Sequence, residues 1–125
     1  MGLIGFQKAN PREYHWENND CVVRASSIAT GKPYAEMHAA YKAAGRKDRR
    51  GTPVFLIDKV LDYKLGVKAQ SRRSAQTLAR FLATYNTGRW VMCNARHAWA
   101  VIDGVVHDAG PVGARTRVLN AWRVD

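Results

Sequence analysis

An Asp103-Gly104 step constrains this chain more than any other feature, because it separates two apolar runs, Trp99-Ala100-Val101-Ile102 and Val105-Val106-His107-Asp108. Asp-Gly accepts the positive φ angles of a two-residue type I′ turn, whose twist matches that of paired strands, so the segment reads as a β-hairpin. Ile102 then faces Val105, Val101 pairs with Val106, Ala100 with His107 and Trp99 with Asp108. Side chains alternate between faces along a strand. His97, Trp99 and Val101 therefore share a side with Val106 and Asp108, and His107 points the other way. Asp108 becomes the diagonal neighbour of His97, a relation that a one-residue slip in register would reverse.

Upstream of Gly88 the periodicity is helical. Asn18, Asn19 and Asp20 are N-cap residues and Gly31 suits a helix end, which predicts a first helix over 21–30 with Cys21, Ala25, Ile28 and Ala29 buried. A second helix begins near Pro33, buries Met37, Ala40, Tyr41 and Ala44, and ends at Gly45. A third has Thr52 as cap and Pro53 in its first turn, with Phe55, Leu56, Val60 and Leu61 inward until Gly66. A fourth starts near Ser74 and buries Leu78, Phe81, Leu82 and Tyr85. Trp90-Val91-Met92-Cys93 and the hairpin strands follow, with shorter strands expected at Val67–Gln70 and Arg117–Leu119. Residues 1–17 read as irregular or as one short strand. The expected architecture is α+β: N-terminal helices (about 18–86) packed on a small antiparallel β-sheet (about 89–124), in one domain spanning 1–125.

A chain of 125 residues buries roughly two thirds of its unfolded surface, enough to fold without disulfides or a structural metal. No apolar run reaches the roughly 18–20 residues of a membrane span, and Met1–Lys8 lacks the form of a signal peptide. Two cysteines far apart, Cys21 and Cys93, fit a reducing, cytoplasmic setting. The balance of 20 Lys+Arg against 10 Asp+Glu gives a formal charge of +10, gathered at Arg46–Arg50, at Arg72-Arg73 and at Arg115, Arg117 and Arg123. Such patches attract polyanions, which makes an acidic peptide or protein substrate, or a nucleic acid, the expected partner. None of them forms a recognisable groove-reading motif.

Cys21, His97 and Asp108 carry the chemistry. A thiol is a nucleophile when ionised, and the first turn of a helix supplies N–H groups and a positive dipole end that favour the thiolate. An imidazole must hold the proton and a third group must orient the imidazole. Asp103 is consumed by the turn, which leaves Asp108 for that role. Cys93 reads as core, His38 and His107 as surface or boundary residues. A Cys₂His₂ metal set drawn from Cys21, Cys93, His97 and His107 lacks the close pairs of structural zinc sites, so neither metal nor organic cofactor is expected.

The stretch Asn18-Asn19-Asp20-Cys21-Val22-Val23-Arg24-Ala25-Ser26-Ser27-Ile28-Ala29, with the late His97-Ala98-Trp99-Ala100-Val101-Ile102-Asp103-Gly104 and then His107-Asp108, resembles the small papain-like cysteine peptidases. Among these it is most similar to the bacteriocin-leader (double-glycine) peptidases and their compact phage-encoded relatives. The resemblance implies a papain-like fold in which Cys21 is the nucleophile, His97 the general base and Asp108 its orienting partner, acting in a host or bacterial cytoplasm. The leader peptidases place a Gln six residues before the Cys, where this chain has His15, and a Gly after it, where this chain has Val22. His15, Asn18 or Asn19 would then complete an oxyanion hole beside the N–H of Cys21, with Trp16 as cleft wall and Trp99 as cleft wall or core. The resulting expectation is a thiol hydrolase that cleaves a peptide or amide bond through an acyl-enzyme. The alternative is a catalytically inactive papain-like shell whose basic surface binds nucleic acid or a host protein.

Overall fold

A computed structural model describes residues 4–64 and 70–125. Six strands form one sheet in the order β1-β5-β4-β3-β6-β2, comprising β1 Gly5–Lys8, β2 Gln70–Arg73, β3 Arg89–Cys93, β4 Ala98–Ile102, β5 Val105–Asp108 and β6 Asn120–Arg123. The helices are α1 Cys21–Thr30, α2 Tyr34–Ala44, α3 Val54–Asp58 and α4 Leu78–Thr84. The chain is α+β, and no helix among the described residues is long and apolar enough to cross a membrane.

The hairpin forms in the expected register, with Ala100 opposite His107, Val101 opposite Val106 and Ile102 opposite Val105. Asp103 (φ 47°) and Gly104 (φ 80°) both adopt the left-handed conformations that a type I′ turn requires. Asp103 also binds the preceding loop, its carboxylate accepting the N–H of Gly88 at 2.9 Å.

Two expectations about the sheet are corrected. It is mixed rather than antiparallel, because Gly5–Lys8 adds to β5 in parallel. It is also covered on both faces. Alternation along β3 and β4 sends Val91, Cys93, Ala98 and Ala100 toward the core formed with α1 and α2, and sends Trp90, Met92, Trp99 and Val101 toward the core formed with α4. A strand buried on both sides reads as an unbroken apolar run, which is why these strands lacked polar alternation.

Element boundaries shift for local reasons. Helix α4 begins at Leu78, capped by Thr77, because residues 74–77 instead run beside 117–119, with Ser74 N–H donating to Leu119 and Val118 N–H to Gln76. Helix α3 passes into a π-helical turn over Lys59–Lys64. Phe55 is 68% exposed and Ile57 takes the inward position. Along α1 the deeply buried residues are Val22, Val23, Ala25, Ser26, Ser27 and Ala29, with Cys21 and Ile28 only partly covered. The final strand falls at Asn120–Arg123 rather than 117–119, and Val67–Ala69 lie outside the described residues.

Arg46, read from sequence as part of a basic patch, and His38, read as a surface or boundary residue, are buried against Glu17. The Arg46 guanidinium grips both Glu17 oxygens at 3.1 Å, His38 Nε2 lies 2.6 Å from Oε2, and the N–H groups of Asn18 and Arg49 donate to Oε1. Burial pushes the Glu17 carboxyl up, but the Arg46, His38 and backbone hydrogen bonds outweigh it and hold the group down at about 2. A depressed carboxyl stabilises the fold above its ordinary value of 4.5, and that contribution is lost as pH falls toward about 2. Thermal unfolding followed from pH 5 to pH ~2 is expected to show this acid loss in the wild type. Glu17→Gln should lower stability at neutral pH by about 3–5 kcal/mol, because Arg46 is left buried without its counter-charge, and should flatten the acid slope.

Candidate active site

Helix α1 begins at Cys21, and its first N–H groups have no intrahelical acceptor. Asp20 occupies the cap position, yet its carboxylate makes no capping bond. Instead the fully buried group accepts from Tyr34 Oη at 2.7 Å and from Arg12 and Arg24. The first turn of α1 is thereby fixed from three directions, while Tyr34 also ties it to α2.

Opposite that turn, β4 begins and β5 ends. Asn94 shapes the approach, its Oδ1 accepting the N–H groups of Arg96 and His97, each at 2.9 Å, while its own N–H donates to the His97 carbonyl. His97 Nε2 lies 2.5 Å from Asp108 Oδ2, so the diagonal pairing read from the hairpin is present. The other Asp108 oxygen accepts the N–H of Ala109 at 2.8 Å and faces Arg24 at 3.6 Å. Cys21 lines the same cavity as His97 and Ala98, close enough for the ring and the Ala98 N–H to favour its thiolate. With Nε2 committed to Asp108, Nδ1 is the ring atom left for the sulfur.

The electrostatics follow from this geometry. His97 is raised to about 9, chiefly by its hydrogen bond to Asp108 and then by Cys21, against the opposing effect of burial. Burial pushes the Cys21 thiol up, but the His97 and Ala98 hydrogen bonds and the charges of His97 and Arg24 bring it below its ordinary value. Each group thus favours the charged form of the other, thiolate beside imidazolium. Cys93 behaves oppositely: burial, with the neighbouring charge of Cys21, pushes it up to about 11 and keeps it a neutral thiol.

A cavity of about 350 Å³ opens beside the sulfur and the imidazole. Gly51, Thr52, Pro53, Val54 and Ile57 line one side, and Asn94, Ala95, Arg96 and Ala98 the other. His15, Asn18, Asn19 and Trp16 are exposed and do not line it. Asn19 spends its amide N–H groups on Asn18 Oδ1 and the Arg49 carbonyl. Trp16 stacks on Tyr14 with ring centroids 5.3 Å apart, and packs edge-on against His38. Trp99 is fully buried in the α4-side core and supports the His97 ring from 6.1 Å, so it is a floor beneath the histidine and not a cleft wall.

Arg24 and Asn94 act on the site without having been singled out from sequence. Arg24 lies three residues after Cys21, hence on the same helix face, and the Asn94-Ala95-Arg96 step before His97 has turn composition. Glu17, His38 and Asp48 bring ligand atoms together elsewhere. Arg46 occupies both Glu17 oxygens and Lys42 lies 3.0 Å from Asp48, company that suits an ion-pair network and opposes a cation.

No family model, curated protein sequence or solved structure matches this chain.

Iodoacetamide should label Cys21 at pH 6 while Cys93 stays unmodified, and His97→Ala should slow that labelling by about 10-fold or more. Arg24→Gln should slow it by about 2–5-fold, because a positive charge facing both Asp108 and the thiolate is lost. Mapping the modified residue by mass spectrometry against pH checks both.

Proposed function

We propose that this chain is a thiol hydrolase of papain-like architecture that cleaves a peptide or amide bond through an acyl-enzyme on Cys21. The observation that carries the reading is the convergence of three groups: Cys21 and His97 line one cavity, and the His97 ring lies 2.5 Å from Asp108 Oδ2 while lowering the neighbouring thiol. Cys21 at the start of α1 and His97 just before β4 stand at the rim of a cavity, with Asp108 of β5 behind the ring, the thiol lowered and the imidazole raised. A packing cysteine has no need of a protonated, carboxylate-held imidazole.

In the proposed reaction the Cys21 thiolate adds to the carbonyl carbon, forming the C–S bond and placing the carbonyl electrons on oxygen. The N–H groups that open α1 face the developing charge, so backbone donors supply the stabilisation without a side chain from His15, Asn18 or Asn19. His97 gives its Nδ1 proton to the leaving nitrogen as the C–N bond breaks. The now neutral ring accepts a proton from water, whose oxygen attacks the thioester. The C–S bond breaks, the acid product leaves, and the thiolate-imidazolium pair is restored. Asp108 holds the ring throughout and does not itself take the proton. The apolar lining of Pro53, Val54 and Ile57 fits an uncharged substrate side chain near the sulfur, and the exposed Arg96 at the cavity attracts an acidic residue beyond it.

An electrophilic acyl probe tests the proposal. Intact-mass and peptide mapping should show one adduct, on Cys21, abolished by Cys21→Ser and reduced about 10²-fold or more by His97→Ala. Asp108→Asn should lower hydrolysis of any cleaved peptide by about 10²–10⁴-fold, while leaving the folded state intact. Modification of Cys93 in preference to Cys21, or equal labelling with and without His97, would sink the reading.

A further inference from the structure

The charge excess is segregated along the chain. No Asp or Glu occurs between Tyr63 and Ile102 or between Ala109 and Val124, and no Lys follows Lys68, so the basic residues of these segments are all arginines beyond that point. The fold brings the two acid-free segments side by side. Ser74 N–H donates to Leu119, Val118 N–H to Gln76, Leu78 N–H to Thr116 and Ala79 N–H to Ala114, so 73–80 runs against 114–120. Arg73, Arg80, Arg115 and Arg117 stand exposed on this double ridge, and none of them pairs with a carboxylate among the described residues.

Between Arg80 and Arg117 lies a groove of about 420 Å³ lined by Thr77, Ala79 and Ala83. Its floor is methyl groups, which let a strand approach closely, and its walls are guanidinium groups. Arg117 is already oriented, one terminal nitrogen donating to the Ala75 carbonyl at 2.8 Å, which leaves further guanidinium donors for a ligand. We infer that this ridge, on the α4 side of the sheet and sharing no lining residue with the cavity at Cys21, docks the phosphodiester backbone of a duplex nucleic acid.

Two features favour a phosphate backbone over an acidic polypeptide. Arginine forks match phosphate oxygens, and counterion release supplies the affinity without any apolar anchor. Protein–protein interfaces need a buried aromatic or aliphatic centre, and on 73–80 and 114–119 the large apolar side chain most exposed is Leu119, standing by itself. The same lack of exposed aromatic rings removes the stacking platform that single strands require.

Fluorescence anisotropy with a labelled duplex DNA tests this on the full chain. Four phosphate contacts predict that affinity falls about 100-fold between 50 and 200 mM salt. Arg80→Gln/Arg115→Gln, two exposed changes, should weaken binding by about 10-fold or more at low salt. Lys47→Gln/Arg50→Gln removes the same charge from exposed positions outside the ridge and should change it by less than about 2-fold. Equal weakening in the two variants, no binding at 50 mM salt, or displacement of the duplex by poly-glutamate as readily as by unlabelled duplex would each overturn the inference.

Discussion

One imidazole set between a carboxylate and a thiol joins parts of the chain that are far apart in sequence. His97 meets Asp108 through Nε2 and lowers the neighbouring Cys21 thiol, so the start of α1 is coupled electrostatically to the end of the β4–β5 hairpin. Each partner stabilises the charge of the next. The carboxylate favours imidazolium, the imidazolium favours thiolate, and the Ala98 N–H adds a donor that the sulfur alone would not attract. At Cys93, which has no such ring beside it, burial wins and the sulfur stays a neutral thiol.

That arrangement needs rigid supports, and the fold supplies them as buried carboxylates held by arginines. Asp20 anchors the first turn of α1 through Arg12, Arg24 and Tyr34. Glu17, three residues earlier, clasps Arg46 and the Arg49 N–H, fixing the loop that leads into the Gly51–Val54 side of the cavity. Arg24 serves both the anchor and the site, reaching Asp20 at 3.1 Å and Asp108 at 3.6 Å. The costs of desolvating these charges are offset because every one of them is multiply bonded.

The hairpin was legible because local chemistry alone determines it: Asp103-Gly104 sets the turn, the turn sets the register, and the register sets Asp108 beside His97. Helices α1 and α2 were likewise written in their caps, Gly31 and Gly45. What could not be read was what depends on distant packing. Nothing local tells that Gly5–Lys8 adds to β5 in parallel, or that α4 covers the second face of the sheet. The same blindness explains Arg46 and His38, whose solvent-facing character is reversed only by Glu17 arriving from another segment. Trp99 was placed on the correct side of its strand, but the choice between core and cleft wall was not legible, since alternation gives a side chain's face and not what covers it.

The most direct test of the central claim is a ring-proton NMR titration of His97 in the wild type and in Cys21→Ala. With sulfur and carboxylate both beside the ring, His97 should remain imidazolium through neutrality and deprotonate near about 9, and removing the sulfur should move that midpoint downward. A midpoint at the ordinary 6.5 in the wild type, unmoved by loss of Cys21, would contradict the coupled pair on which the functional account stands.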